Sequence, residues 1–197
     1  MKKLLALVVA ALFAMNVSAE KGSMYGGLTG VGILEAMTEG SAFLPTVGTG
    51  LTVLSVGDYS ATAWGLAPEF GYFVSDNLAI GGVIGIGGII IKDNPGDNPF
   101  AFRFNPYARY FLVQDGNFGF YLQGGVDFMT ETASKINVLG IGINPGVSYN
   151  IGLFTATAAF GFLGFETLGG DGISESVSVF GLDLNMATLN FGLSYNF

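Results

Sequence analysis

The chain has 197 residues, no Cys and no His, a formal net charge of −8 and only 11% charged residues. Without cysteine there is no disulfide framework and no thiolate chemistry, and the acidic balance argues against nucleic acid as a partner. Low charge and positive mean hydropathy are usual for proteins that cross a bilayer as helices. However, the chain has 32 Gly residues and many aromatic residues, which are unfavourable in the interior of a helix.

The first 19 residues have the pattern of a secretory signal peptide. Lys2 and Lys3 precede an apolar stretch that ends near Met15, and small residues lead up to Ala19. The alternative is an uncleaved anchor, but the apolar stretch is shorter than the roughly 20 residues of a spanning helix. We therefore predict a signal peptide, residues 1–19, and one domain, residues 20–197. After cleavage, five basic residues remain against fifteen acidic ones, a net charge of −10.

The most apolar run of the mature chain is "LAIGGVIGIGGIII", residues 78–91. At 1.5 Å per residue these fourteen residues are too short to cross a bilayer as a helix. Glycine together with Ile and Val disfavours a helix and suits a pleated strand. A tilted strand of this length can cross a membrane, so we predict a strand here.

Large apolar residues alternate with small or polar residues along the remaining segments, which predicts strands with two different faces. Together with an opening strand near residues 24–34 and a second near residues 60–75, the alternating segments give eight strands, an even number that permits antiparallel closure. The apolar face includes Phe70, Tyr72, Val74, Leu78, Ile80, Ile84, Ile86, Phe100, Phe102, Phe104, Tyr110, Leu112, Phe118, Phe120, Leu122, Val126, Phe128, Leu139, Ile141, Ile143, Val147, Tyr149, Phe154, Phe160 and Phe162.

Connections alternate in length along the chain. Tight turns are predicted near Ser75, Gln114 and Asn150, and longer segments lie at residues 35–59, 92–98, 132–137 and 167–176. The long segments carry several acidic residues, which could hold divalent cations or could form a merely solvated rim. Pro106 and Pro145 fall within predicted strands, where the missing N–H suggests local bulges or irregular pairing.

The composition of the second face indicates which face meets lipid. A soluble barrel should present about a quarter or more charged residues to water, whereas the second face is mainly Gly, Ala, Asn and Ser. The interior of an eight-stranded barrel is only just wide enough for its side chains, so the large apolar face is expected to point outward. We predict an all-β fold, an eight-stranded antiparallel up-and-down transmembrane β-barrel.

Three stretches carry a resemblance to a known family: "FRFNPYARYFL", "INPGVSYNI" and the terminal "SYNF". Over residues 23–197 the chain resembles the small eight-stranded outer-membrane barrels, the opacity-protein and outer-membrane-protein-A-like proteins, especially versions from Bacteroidetes. The resemblance implies a location in the bacterial outer membrane. It also implies that Tyr195 and Phe197 form the C-terminal insertion signal recognised by the barrel assembly machinery. The alternative for this segment is an ordinary edge strand of a soluble protein.

Four charged residues fall on the inward face: Glu69, Arg103, Arg109 and Asp127. If the turn "QDGN" joins antiparallel strands, Arg103 lies near Asp127, and Arg109 lies opposite Gln123 with Glu69 at a similar height. We interpret these five residues as a hydrogen-bonded polar network that plugs the lumen. The alternative is a selectivity ring in a conducting pore.

We predict a noncatalytic integral outer-membrane barrel with a structural or loop-mediated role, whose lumen is filled by small and polar side chains. The alternative is a narrow pore for ions or small solutes. A lipid-modifying enzyme is disfavoured because no His is available to assist a nucleophile. We expect no cofactor, no metal, no catalytic residues and no nucleic acid. The expected partners are outer-membrane lipid and, during biogenesis, the barrel assembly machinery; the outer loops leave any extracellular partner open, and we expect a monomer.

Overall fold

β-strands form all the regular structure that the computed structural model describes, which covers residues 21–31, 48–56, 59–92, 98–133, 135–171, 175–183 and 189–197. The predicted signal peptide, residues 1–19, lies outside these residues. The strands are β1 (Met24–Val31), β2 (Gly50–Val56), β3 (Tyr59–Leu66), β4 (Pro68–Ser75), β5 (Leu78–Ile91), β6 (Phe100–Asp115), β7 (Phe118–Glu131), β8 (Ile136–Ile151), β9 (Phe154–Ala159), β10 (Phe162–Gly170), β11 (Val177–Asp183) and β12 (Asn190–Asn196). The described residues include no helix long and apolar enough to span a membrane.

Eight of these strands close into a ring. Neighbours pair antiparallel in the order β1, β4, β5, β6, β7, β8, β9 and β12, and β12 pairs with β1. Each strand of the ring therefore has two hydrogen-bonded neighbours, which satisfies its backbone groups. The predicted eight-stranded antiparallel barrel is confirmed.

The other four strands lengthen the barrel towards one rim. β3 and β4 pair with different parts of β5, so β3 extends the wall beyond the end of β4. β2 pairs with β3. β10 pairs with β8 and with β11. β3 and β4, which flank Ala67, together match the predicted second strand, residues 60–75. The predicted opening strand ends at Val31 among the described residues, and residues 32–34 lie outside them.

The opposite rim has tight turns. Two-residue turns join β4 to β5, β6 to β7 and β8 to β9, at the three places that the sequence predicts. Gly116 and Gly152 in two of them have φ of +56° and +62°, which glycine adopts without steric cost. The final strand ends at the same rim, where Phe197 and Met24 exchange two backbone hydrogen bonds.

The two faces of the wall differ as the alternation predicts. Phe70 is 61% exposed and Ile141 is 53% exposed on the outside. The residues that alternate with these large side chains along each strand point into the lumen. Further exposed residues of the same face are Tyr72, Ile80, Ile84, Phe100, Phe104, Tyr110, Leu112, Phe118, Leu122, Val126, Phe128, Leu139, Ile143, Tyr149 and Phe154. The outer surface of the barrel is therefore apolar.

Phe162 departs from this pattern. The sequence predicts that Phe160 and Phe162 continue the outward face of Phe154. Both residues border a cavity in the lumen, but only Phe162 follows the change of register. The chain breaks its regular pairing after β9, where Gly161 has a φ of +69°. β9 and β10 both pair with β8, but their registers differ by one residue. A shift of one residue moves side chains to the other face of a sheet, so the prediction for Phe162 is wrong. Phe160 precedes the shift, and its backbone N–H still donates to the Pro145 carbonyl in the register of β9.

The two strand prolines coincide with irregular pairing. The register shifts that involve β1, β4 and β6 lie elsewhere, for example between Phe111 and Val113. The register of β6 and β7 is the same on both sides of Pro106, and β7 and β8 keep one register past Pro145. Asn105 and Pro106 are nevertheless unpaired in the ladder of β6 and β7, and on the other side of Pro145 the register of β8 changes by one residue between β9 and β10. The expectation of bulges or irregular pairing is therefore confirmed as irregular pairing.

An asparagine side chain supplies a donor beside each proline. The Nδ2 of Asn105 donates to the carbonyl of Val126 at 2.9 Å, and the register places Val126 opposite Pro106. The Nδ2 of Asn144 donates to the carbonyl of Gly161, at the break between β9 and β10. In both Asn-Pro pairs the amide thus stands in for the N–H that proline lacks.

Candidate functional site

A buried ion pair lies across the lumen between β4 and β6. The Nη2 of Arg109 is 2.7 Å from the Oε1 of Glu69, and the two side chains are 7% and 3% exposed. Gln123 pairs with Arg109 in the ladder of β6 and β7, and its Oε1 accepts from Nε at 3.0 Å and from Nη2 at 2.8 Å. The structure thus brings together three of the predicted lumen residues.

Three tyrosine rings surround the Arg109 guanidinium. Its central carbon lies 4.7 Å from the ring centroid of Tyr121, 5.0 Å from that of Tyr107 and 5.6 Å from that of Tyr25. A cation over an aromatic face is stabilised by the ring quadrupole, more so away from water. The tyrosines come from β1, β6 and β7, so the arrangement links the first strand to a hairpin that is distant from it in sequence.

The tyrosine hydroxyls complete the hydrogen bonding. Tyr107 donates to the carboxylate of Glu69, and the hydroxyls of Tyr25 and Tyr107 are 2.7 Å apart. We call Glu69, Arg109, Gln123, Tyr25, Tyr107 and Tyr121 the central plug. Among the described residues, no buried side-chain nitrogen or oxygen lacks a hydrogen-bond partner. A buried ion pair is stable only when such additional bonds satisfy its remaining donors and acceptors.

A glycine directly across the sheet makes room for each plug tyrosine. Tyr25 pairs with Gly71, Tyr107 with Gly81 and Tyr121 with Gly146. A Cβ on Gly71 would lie 2.1 Å from Tyr25 Cζ, one on Gly81 would lie 2.7 Å from the Tyr107 hydroxyl, and one on Gly146 would lie 2.3 Å from Tyr121 Cζ. The rings therefore lie flat over glycines of the neighbouring strand.

This packing corrects the expectation that only small and polar side chains fill the lumen. Five aromatic rings are also buried inside it: Tyr25, Phe73, Tyr107, Phe111 and Tyr121. The narrow barrel accommodates them because glycines on adjacent strands leave the space. The signal in the sequence is an inward tyrosine placed opposite an inward glycine, which becomes visible only once the register is known.

The second ion pair of the lumen is separate from the plug. Arg103 donates to Asp127 through Nε at 2.8 Å and also through Nη2, a bidentate contact. Their side chains are 20% and 35% exposed, so this pair is far more accessible than the first. The five predicted lumen residues therefore fall into two groups rather than one network.

Two cavities flank the central plug. The loop-side cavity, about 190 Å³, is lined by Arg103, Asn105, Asp127, Asn144, Thr157 and Asn190 among others. The turn-side cavity, about 250 Å³, is lined by residues near the tight turns, including Ser23, Gln114, Asn150 and Asn196. Arg109 lines both cavities and so lies at the boundary between them.

The C-terminal aromatics lie on the outer surface beside the tight-turn rim. Phe197 is 66% exposed although its backbone is bonded to Met24. Tyr195 contacts two other rings, with its centroid 5.4 Å from that of Phe154 in an edge-on arrangement and 5.4 Å from that of Phe197 in a tilted one. These three rings form a continuous aromatic surface at the seam between β9 and β12.

No group of three or more His, Cys, Asp or Glu side chains that could hold a metal is found in the described part of the chain. No family model matches the chain, and no curated protein matches it.

Solved structures that are similar to the chain include two from Pseudomonas aeruginosa. The N-terminal β-barrel domain of Pseudomonas aeruginosa OprF has 12% identity and a TM-score of 0.42, and the match covers 90% of this chain and 98% of that one. The outer membrane protein OprG from Pseudomonas aeruginosa has 15% identity and a TM-score of 0.46, with 91% of this chain and 98% of that one covered. Similarity at this level carries no conclusion about function, and the resemblance to Bacteroidetes opacity proteins stays a prediction.

Proposed function

We propose that the protein is a noncatalytic integral β-barrel of a bacterial outer membrane, closed by its central plug, with a structural role or a role in contacts made by its long loops. The observation that carries this proposal is the apolar outer surface. Large apolar side chains stand exposed on strand after strand around the ring, while the charged side chains Glu69 and Arg109 are buried inside.

The outer surface is more apolar than the surface of a soluble monomer. Soluble monomers rarely expose contiguous apolar patches larger than a few hundred Å². Here exposed residues such as Phe70, Ile84, Phe104 and Phe128 come from successive strands, so the apolar surface continues around the wall. A bilayer favours this arrangement because the closed ring leaves its strands without an unpaired edge in the hydrocarbon region.

The two rims suggest an orientation. In outer-membrane barrels the tight turns face the periplasm and the longer loops face outward. This places the turn-side cavity on the periplasmic side and the loop-side cavity on the external side. In this orientation Tyr195 and Phe197 lie at the periplasmic end of the last strand, where the barrel assembly machinery would read them as the insertion signal.

A narrow pore is the second candidate, and one observation favours it. The two cavities approach from opposite rims, and Arg109 lines both. Only the central plug separates them at that point. A pore would require the plug to move, which would break the contacts of Arg109 with Glu69 and Gln123.

Fractionation and gel mobility test the membrane location. We expect the protein to require detergent for extraction and to migrate differently on a gel before and after heating, as a closed barrel resists unfolding by the detergent alone. Phe197→Ala should lower the amount of assembled barrel more than Leu112→Ala does. Leu112 is the control because its side chain is also exposed. Protein that dissolves without detergent would contradict the proposal.

Conductance in planar bilayers separates the closed barrel from the pore. We expect no ohmic current from the unmodified protein. Arg103→Ala and Asp127→Ala should also be silent, because neither residue belongs to the central plug. Ohmic currents from the unmodified protein would favour the pore.

A further inference from the structure

We propose that the loop-side cavity is a binding site for a neutral polyhydroxylated solute of monosaccharide size. Its floor is the central plug, and its walls carry polar groups from several strands. At roughly 30 Å³ of liquid volume per water, about 190 Å³ corresponds to about six waters, and a hexopyranose displaces a similar volume.

The charge of the lining argues for a neutral ligand. Arg103 is paired with Asp127, and Arg109 is paired with Glu69. All four line the cavity, so the charges of the lining cancel in pairs. Each guanidinium already has a carboxylate partner, and an anion or a cation entering the cavity would have to displace one of these partners.

The amides of the lining offer both donors and acceptors. The Oε1 of Gln123 accepts from Arg109, and the Oδ1 of Asn190 accepts from the backbone of Gly30 at 2.9 Å. Among the described residues, the amide nitrogens of Gln123 and Asn190 have no partner and remain available as donors.

Asn105 and Asn144 supply the complementary groups. Each uses Nδ2 to bond a backbone carbonyl, so each Oδ1 remains available as an acceptor within the described structure. A hydroxyl group both donates and accepts, and a sugar presents several of them around one ring. A mixed set of fixed amide donors and acceptors therefore matches a sugar better than it matches a carboxylate or an amine.

One wall of the cavity is apolar. Phe162 lines it because of the register change at Gly161. The C–H face of a pyranose is apolar, and it can pack on an aromatic ring while its hydroxyls face the amides. The register change thus supplies the cavity with an aromatic wall that the regular alternation would have placed outside.

Nuclear magnetic resonance on the full chain in detergent micelles tests the proposal with D-glucose as the probe. We expect saturable shifts of the side-chain amide protons of Gln123 and Asn190, with a Kd in the low millimolar range for a ligand of this size. Glucuronate and glucosamine, which keep the pyranose ring and add a charge, should bind at least fivefold more weakly. Equal or tighter binding of glucuronate or of glucosamine would overturn the neutral class of ligand.

A filling variant locates the site. Gly140 lines the cavity, and a Cβ there would meet nothing closer than 3.7 Å. We therefore expect Gly140→Leu to fold and to weaken glucose binding at least tenfold. Gly124→Leu adds the same side chain on the outer face, where a Cβ has no neighbour closer than 3.9 Å, and should bind as the unmodified protein does. Heat-modifiable gel mobility checks that each variant folds.

Two results would overturn the proposal. One is the absence of saturable amide shifts in the unmodified protein, which would mean that the cavity holds water only. The other is undiminished binding in Gly140→Leu, which would place the sugar elsewhere. Neither result bears on the membrane location, since extraction and gel mobility are measured separately.

Discussion

The two ion pairs of the lumen share the same chemistry and differ in their surroundings. Arg109 and Glu69 are 7% and 3% exposed and are enclosed by Gln123 and by tyrosine rings. Arg103 and Asp127 are 20% and 35% exposed and lie beside an open cavity. The comparison indicates that Arg109 closes the lumen, whereas Arg103 lies on the more accessible side, in the wall of the loop-side cavity.

The difference has an energetic consequence. Breaking a buried pair leaves an uncompensated charge away from water, which destabilises strongly. An accessible pair contributes little, because water solvates whichever partner remains. Equivalent substitutions in the two pairs should therefore have unequal effects, and the following predictions run from the largest effect to the smallest.

Arg109→Ala should lower the free energy of unfolding by about 3 to 5 kcal/mol. The substitution leaves the Glu69 carboxylate buried without its cation, and it removes the centre around which three tyrosines pack. Denaturant titration in micelles, followed by gel mobility, measures the loss. The double variant Glu69→Gln with Arg109→Met removes both charges and should regain much of the stability. A loss below about 1 kcal/mol in the single variant would place this pair with the exposed pairs.

Gly146→Ala should destabilise by about 1 to 3 kcal/mol, the usual range for overpacking. Its Cβ would lie 2.3 Å from Tyr121 Cζ, so the ring that covers Arg109 must move. Gly124→Ala is the matched control on the same sheet, with its nearest atom at 3.9 Å, and should change stability little. In a Tyr121→Ala background the cost of Gly146→Ala should largely vanish; an undiminished cost would show that the glycine does not act through the ring.

The sequence predicts the wall better than the contents of the lumen. Alternation assigns faces along each strand, and the tight turn at Gly116 predicts that β6 and β7 pair. The partner of Arg109 is Gln123 because the register shifts by one residue between Phe111 and Val113. The grouping of Tyr25, Tyr107 and Tyr121 depends on strands that meet only when the ring closes, which no local pattern contains.

Two further features depend on single residues. The inward turn of Phe162 follows from a register change of one residue near Gly161, and a period-two pattern does not reveal such a change. The separation of Arg103 from the plug could not be predicted either, because inward parity gives the direction of a side chain but not its burial.

Asn105→Ala should cost about 1 kcal/mol, the net contribution of one hydrogen bond. The variant leaves the Val126 carbonyl without the amide that replaces the missing N–H of Pro106. Adding Pro106→Ala supplies a backbone N–H at that position and should recover part of the loss. If the second substitution deepens the loss instead, the amide does not substitute for the proline. Asn105 lines the loop-side cavity, so this variant measures one hydrogen bond on the more accessible side of the lumen.

Arg103→Ala should lower the unfolding free energy by less than about 1 kcal/mol, although it removes a bidentate contact. The Asp127 side chain is 35% exposed, so water can solvate its carboxylate once the guanidinium is gone. The same denaturant titration as for Arg109→Ala gives the comparison directly, because both variants truncate an inward arginine of β6. Equal losses would mean that the loop-side cavity is as inaccessible to water as the central plug. A sugar could then enter the cavity only if the barrel opened. A small loss at Arg103, with the large loss at Arg109, places the boundary between the closed and the hydrated part of the lumen between these two arginines along β6.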